Sequence, residues 1–182
     1  MNQSEEAAGG TIRSYVLRGR MTPAQKKTLA AFQDSGLLIP LPESGSPHPL
    51  NPVDIFPAPK EKYLIDLGFG MGKSTALMAE KNPASGYIGI EVHAPGIARL
   101  LWEIKNRALE NVRIIYGDAV PVLQDMIPPE SIDGVHIFFP DPWPKKRHHK
   151  RRLLTADFLR LLSSRLRAGG YIYIVSDWQD YA

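Results

Sequence analysis

Five short apolar runs, separated by helical and loop segments, restrict the fold of this chain more than any other feature. They cover residues 63–67, 87–90, 112–116, 132–139 and 171–175. Near-continuous apolar runs of this length are typical of strands that are buried on both faces. The helical segments between them supply the crossovers that parallel strands require. The alternation therefore predicts an α/β fold with a doubly wound, mostly parallel sheet.

Two of the intervening segments have clear helical signals. In residues 94–109 the apolar side chains recur at helical spacing, and residues 155–167 begin with a capping residue and precede a Gly169-Gly170 stop signal. We expect both segments to be helices that cover the sheet.

The first 60 residues differ from the rest. Thr22, Pro23 and Gln25 have the pattern of a capping box, and the helix that they open is expected to reach Gly36. Seven of the sixteen prolines follow between residues 40 and 59, which predicts an extended connector. We expect residues 1–60 to form an N-terminal arm with one helix, and residues 61–182 to form the ligand-binding domain.

Several classes of protein are disfavoured by what the sequence lacks. The chain has 182 residues and no cysteine, which excludes disulfides, thiolate metal sites and a thiol nucleophile. His148 and His149 are adjacent and have no third ligand at suitable spacing, so no metal site is predicted. The sequence has no run of about 18 apolar residues and begins with an acidic, polar stretch. We therefore expect a cytoplasmic protein without a membrane partner.

A carboxylate follows each of the five predicted strands. These residues are Asp66, Glu91, Asp118, Asp141 and Asp177. The carboxyl ends of parallel strands meet at one edge of the sheet, where folds of this class bind their ligands. One such acid could simply cap the next helix. Five in succession predict an acidic binding site.

The turn after the first strand contains Gly68, Gly70 and Gly72. Glycines permit a tight turn and let a ligand approach the backbone near a helix N-terminus. The spacing fits neither a phosphate-binding P-loop nor the dinucleotide fingerprint G-x-G-x-x-G. Glu91 lies nineteen residues after Gly72, a separation that suits a carboxylate binding ribose hydroxyls.

The charge of this site discriminates between nucleotide ligands. Carboxylates would repel the pyrophosphate of NAD or the phosphates of ATP. They suit the sulfonium, the ammonium and the ribose diol of S-adenosylmethionine. The sequence therefore favours S-adenosylmethionine as the cofactor.

The segment after the fourth strand combines aromatic residues, prolines and a basic run, FFPDPWPKKRHHKRR. Its prolines stiffen a loop that presents Asp141 and Trp143 at the edge of the sheet. Six cations lie within residues 145–152; the other 16 basic residues are outnumbered by 19 acidic ones, so the net charge of +3 arises from this run. A basic run can be a solvated surface. Beside a nucleoside site, an aromatic ring with an acid suits a base and the cations suit phosphates, which favours RNA as the partner.

The chain resembles the bacterial tRNA (guanine-N7-)-methyltransferase family in six blocks: IRSYVLRGRMTPAQ, DLGFGMGKS, YIGIEVHAPGIARLL, YGDAVPVLQDMIPPESID, HIFFPDPWPKKRHHKRRL and SDWQDYA. FFPDPW with its basic run is specific, whereas many methyltransferases share the glycine motif. The resemblance implies a Rossmann-like class I methyltransferase fold. It also implies methyl transfer from S-adenosylmethionine to N7 of guanosine 46 in the variable loop of tRNA. We expect a monomer or a homodimer.

The resemblance assigns roles to individual residues. Asp66, Glu91, Asp118 and Asp141 match donor-binding positions beside the glycine turn, and Asp141 also matches the catalytic position. Lys145 and Asp177 match substrate-contacting positions. The RNA-contacting stretch corresponds to Lys146, Arg147, His148, His149, Lys150, Arg151 and Arg152.

The resemblance also implies a difference from the family at the C-terminus. Family members continue beyond SDW-x-x-YA with a helix, the last strands and a T-x-F-E motif, so we expect the C-terminal strands to be missing here. The activity of this chain is therefore left open by the sequence. A non-catalytic tRNA-binding module and a methyltransferase with another RNA or amine acceptor are the alternatives.

Overall fold

A six-stranded parallel sheet forms the centre of the computed structural model, which describes residues 20–42 and 48–179. The strand order is β1-β4-β3-β2-β5-β6, and every pair of neighbouring strands is parallel. The order reverses between β2 and β5, as in a doubly wound sheet. The strands are β1 Leu38–Ile39, β2 Lys62–Leu67, β3 Ser85–Glu91, β4 Val112–Tyr116, β5 Ile132–Phe138 and β6 Leu166–Val175.

The predicted parallel α/β fold is thereby confirmed, and the five apolar runs correspond to β2–β6. The helices are α1 Pro23–Ala31, α2 Lys73–Lys81, α3 Ala94–Asn106, α4 Ala119–Pro121 and α5 Ala156–Arg165. A π-helical turn, Val122–Met126, follows α4, and a 3-10 turn, Lys146–Arg151, precedes α5. None of the helices within the described ranges is long and apolar enough to cross a membrane.

The two faces of the sheet carry two separate apolar clusters. Ile65, Ile90 and Val135 face one side, where they pack with Leu123 of the π-helical turn and Phe158 of α5. On the other side, α2 and α3 cover the sheet, and the partly buried Leu29 and Phe32 of the N-terminal region join that cluster. The alternation of side chains along each strand produces this division.

The helix α1 has the predicted start but ends earlier than expected. The capping box is formed, because Gln25 N–H donates to Thr22 Oγ1 at 3.3 Å and Thr22 N–H donates to Gln25 Oε1 at 2.9 Å. The helix ends at Ala31, not near Gly36. Ser35 bonds to the carbonyl of Phe32 and accepts from the N–H of Leu37, which replaces helical hydrogen bonds with a local turn.

The N-terminal arm contributes to the sheet, which the sequence did not predict. Leu38 pairs with Ile114, so β1 extends the sheet beyond β4. Phe56 from the proline-rich segment is buried in the core. Residues 1–19 of the arm and residues 43–47 of the connector lie outside the described ranges. The division at residue 60 stays a prediction.

The predicted helix over residues 155–167 is present but ends two residues early, and the Gly169-Gly170 pair is not its stop signal. The helix α5 ends at Arg165, and β6 begins at once with Leu166 opposite Ile132. The register then shifts, so that Tyr171 pairs with Gly134. Gly169 has a φ of +82°, which suits this irregularity rather than a helix stop. Burial of Leu166 against the core favours the early change from helix to strand.

Candidate active site

One cavity of about 440 Å³ lies at the carboxyl ends of β2–β5, and we call it the rim pocket. Its position is where a doubly wound sheet binds its ligands. Predicted residues that line it are Gly68, Gly70, Glu91, Asp118, Asp141 and Arg151. The structure therefore brings together three of the five strand-end carboxylates, part of the glycine turn and one residue of the basic run.

Gly68 and Gly70 give the rim pocket an exposed stretch of backbone. Their φ angles are +68° and +56°, and no atom lies within 4 Å of the position that a Cβ would take. A ligand can therefore approach this backbone directly. Gly72 differs: it precedes α2 and its missing Cβ would lie 2.6 Å from Leu100 Cβ. Gly72 thus serves helix packing and is not among the lining residues.

Glu91 is held in place by three backbone donors. Its Oε2 accepts from Gly70 N–H at 2.8 Å, and its Oε1 accepts from the N–H groups of Val92 and His93 at 2.7 and 3.0 Å. A carboxylate has about four acceptor sites, so one remains for a ligand. The bond to Gly70 also fixes the glycine turn relative to β3.

Asp66 lies within β2 beneath the glycine turn, and it does not line the rim pocket. It is 1% exposed, and its Oδ2 accepts from Thr75 Oγ1 at 2.6 Å. Its Oδ1 is buried without a hydrogen-bond partner in the described structure. Burial and the nearby Glu91 raise the pKa of Asp66 from 3.8 to about 6, against the opposing effect of the Thr75 bond. A contact between Asp66 and the cofactor stays a prediction.

Asp118 caps the next helix and also lines the rim pocket. Its Oδ1 accepts from Val120 N–H at 2.9 Å at the start of α4. The capping function and the ligand function that the sequence left as alternatives are therefore compatible in this residue. The cap fixes the carboxylate at the start of α4, beside the rim pocket.

The loop after β5 has two bulky residues in the left-handed region of backbone space. Phe139 has a φ of +50° and Trp143 a φ of +43°. The Trp143 indole lies under the Arg151 guanidinium at 5.0 Å, and the ring of His148 is edge-on to it at 5.9 Å. Arg152 Nε donates to the Pro142 carbonyl at 2.8 Å. The last residues of the basic run therefore hold the loop.

The remaining predicted residues lie around the rim pocket rather than in its lining. Lys145 and Asp177 are exposed, and neither lines the rim pocket. The 3-10 turn Lys146–Arg151, which we call the basic turn, places most of its cations in solvent. Partial burial and the adjacent Arg151 lower the pKa of His148. The predicted substrate and RNA contacts of this group stay predictions.

Phe139 was missed as a site residue by the sequence analysis. We placed it at the end of a buried strand, 132–139, but β5 ends at Phe138. Phe139 lines the rim pocket and is 61% exposed. A residue before proline is restricted in backbone conformation, and Pro140 was therefore the available signal that the strand had ended.

No group of three or more His, Asp or Glu residues suited to a metal occurs in the described part of the chain. His136 is buried in β5, where its Nε2 bonds with the Tyr171 hydroxyl at 2.9 Å. Burial lowers the pKa of His136. This histidine belongs to the packing between β5 and β6.

Comparison with known proteins identifies relatives of this chain. A family model described as "Putative methyltransferase" matches residues 60–182. The tRNA (guanine-N(7)-)-methyltransferase of Nitrosospira multiformis is 48% identical over 94% of this chain and 72% of that protein. The enzyme of the same name from Methylobacillus flagellatus is 48% identical over 98% of this chain and 73% of that protein.

Among solved structures, the [4+2]-cyclase SpnF matches with a TM-score of 0.50 and 19% identity, over 63% of this chain and 38% of that chain. A likeness at this identity concerns the fold alone. The all-parallel sheet, its strand order and the match to the methyltransferase family model identify the fold as the Rossmann-like fold of class I methyltransferases.

Proposed function

The chain belongs to the tRNA (guanine-N7-)-methyltransferase family, and we propose that its rim pocket holds S-adenosylmethionine beside a guanosine of the tRNA variable loop, position 46. The activity is methylation of guanine N7 in tRNA with S-adenosylmethionine as donor. The observation that carries the residue assignment is the convergence of the glycine turn with Glu91, Asp118 and Asp141 around one cavity. We propose residues 61–182 as the catalytic domain, with 1–60 as an arm, in a cytoplasmic monomer or homodimer.

The residues of the rim pocket fit this donor. Gly68 and Gly70 leave room above the backbone that a side chain would fill. Glu91 keeps one acceptor site for a ribose hydroxyl, because three amides already occupy its other lone pairs. Asp66 does not line the rim pocket, but its buried Oδ1 has no hydrogen-bond partner among the described residues, and we propose that it accepts from the ammonium of the donor.

When bound, S-adenosylmethionine supplies a methyl group on a sulfonium: the N7 lone pair forms the new C–N bond, and the electrons of the broken C–S bond stay on sulfur. Guanine N7 carries no proton at neutral pH, so the protein does not need a general base for this step. The contribution of the chain is alignment, with N7 held about 3–3.5 Å from the methyl carbon and in line with sulfur.

Asp141 is proposed to provide this alignment. It lines the rim pocket on the loop after β5, where its carboxylate can accept hydrogen bonds from the N–H groups of the guanine or from the donor ammonium. The adjacent basic turn offers exposed cations to the phosphates on either side of the target nucleotide. Asp141 and the basic turn together would bind one base of a folded RNA and the phosphates beside it.

The test is methyl transfer from labelled S-adenosylmethionine to unmodified tRNA, with the product mapped by borohydride–aniline cleavage at 7-methylguanosine. We expect Asp141→Asn to lower kcat by about 100-fold, the cost of misalignment by about 1 Å. Asp125→Asn changes an exposed acid on the π-helical turn and serves as the control. Full turnover by Asp141→Asn at saturating substrates would contradict the assignment, and absence of cleavage by the unaltered chain would contradict the function.

A further inference from the structure

We propose that Phe139 is the residue on which the target guanine stacks, an inference that rests on the function proposed above. Trp143 is the aromatic residue that the sequence placed at this edge, but its indole already contacts Arg151 and His148. Phe139 lines the same pocket and exposes 61% of its surface. No other large apolar residue in the described part of the chain has a larger exposed fraction.

The packing of the protein does not explain the ring of Phe139. An exposed phenyl group contributes little to the core, and Phe139 belongs to neither apolar cluster. Its neighbour Phe138 does contact His136 and Tyr173 on the sheet, with ring centroids 5.6 and 6.0 Å apart. The aromatic residue that supports the fold at this point is therefore Phe138.

The backbone of Phe139 is held in a conformation that disfavours a bulky residue. Its φ of +50° is left-handed, and the following Pro140 restricts it further. The conformation is maintained because Phe139 N–H donates to the Val175 carbonyl at 2.8 Å, which continues the β5–β6 pairing. Glycine would satisfy this backbone without strain. Residues with a strained backbone of this kind cluster at functional sites, which supports a role for the Phe139 ring in ligand binding.

The chemistry of the reaction suits an aromatic ring at this position. Every base has a π face, and stacking on an aromatic side chain would fix the plane of the guanine while Asp141 contacts its edge. Methylation at N7 also gives the purine a positive charge. An aromatic face attracts a cation, so the contact strengthens as the charge develops in the transition state. Loss of the ring should therefore lower kcat as well as affinity for tRNA.

The matched variants are Phe139→Leu, which keeps apolar volume without a π face, and Phe139→Tyr, which keeps the face. Trp102→Leu, at a 45% exposed position on α3, is the control for loss of a surface aromatic residue. The free energy of stacking one base on an aromatic side chain corresponds to a fall of about 5- to 150-fold in kcat/KM for tRNA, which we expect for Phe139→Leu. We expect Phe139→Tyr to stay within about threefold of wild type, and the Kd for S-adenosylmethionine to be unchanged in all three variants.

Phe139→Gly separates function from folding. Because it removes both the ring and the strain, we expect it to lose activity as Phe139→Leu does while its Tm is equal to or above that of wild type. The proposal is overturned if Phe139→Leu retains kcat/KM within twofold, or if S-adenosylmethionine affinity falls in parallel with activity. It is also overturned if Phe139→Gly lowers Tm together with activity. An inactive wild-type chain would instead contradict the proposed function, and the inference with it.

Discussion

The burial of Asp66 predicts an unusual dependence of stability on pH. The pKa of this carboxyl is raised from 3.8 to about 6 in the folded protein, chiefly by burial. A folded-state pKa above the unfolded one means that the neutral acid favours folding. The contribution of neutral Asp66 to the free energy of unfolding is complete below pH 4 and is lost as the pH rises through about 6. A shift of about two pKa units corresponds to about 3 kcal/mol of stability lost across this window.

Asp66→Asn removes this titration while keeping the volume and an acceptor for the Thr75 hydroxyl. We expect the free energy of unfolding of the variant, relative to wild type, to rise by about 3 kcal/mol between pH 4 and pH 7.5. Urea unfolding of both proteins at several pH values measures this difference, and other titrating groups cancel in the comparison. Asp34→Asn, at an exposed position, is the control and should show a difference within about 0.5 kcal/mol at every pH.

Parallel pH profiles for wild type and Asp66→Asn would refute the reasoning, because they would mean that Asp66 ionises in the folded state as easily as in the unfolded state. If the variant is stabilised at neutral pH, the natural acid is retained at a cost to stability. Such a cost is typical of binding sites, and the same variant should bind S-adenosylmethionine more weakly.

Two further predictions concern the basic turn and the glycines. Alanine at the three exposed cations of the basic turn, Lys146, Arg147 and Lys150, should reduce the slope of log affinity for tRNA against log salt by about 2–3. Titration of tRNA at several salt concentrations measures this slope, and alanine at Lys26 and Lys27 of α1 should leave it unchanged. Gly68→Ala should cost about 1–2 kcal/mol through its φ of +68°. Gly72 has a similar φ of +70°, and its Cβ would also overlap Leu100, so Gly72→Ala should cost about 1–3 kcal/mol more than Gly68→Ala in chemical unfolding. Equal losses in the two variants would contradict this reasoning.

The main sheet could be predicted from the sequence because its signals are local. Each of the strands β2–β5 is a short apolar run, and burial on both faces makes such a run visible without knowledge of its partners. The strand β6 is also an apolar run, but the expectation that it is buried was wrong: it lies at the edge of the described sheet, and Tyr171, Tyr173 and Ile174 are exposed. The strand β1 has only two residues, Leu38 and Ile39, which are too few for a pattern. The end of α5 could not be predicted either, because the pairing of Leu166 with Ile132 decides it.

The acidic site could be predicted because topology brings the ends of parallel strands to one edge. Glu91, Asp118 and Asp141 line the rim pocket for this reason. The depth of each side chain was not available from the sequence: Asp66 lies one residue before the end of β2 and therefore points into the protein beneath the glycine turn. A difference of one residue along a strand reverses the direction of a side chain.

The basic run illustrates why composition alone could not assign its residues. Its lysines and arginines have similar charge, but the structure separates them by geometry. Arg151 lies over the Trp143 ring, and Arg152 donates to the Pro142 carbonyl. A planar guanidinium can stack and donate in this way, whereas an ammonium is a compact, strongly hydrated charge. The arginines at the end of the run therefore hold the loop that carries Asp141, and the exposed cations of the run stay the predicted contacts to the phosphates of tRNA.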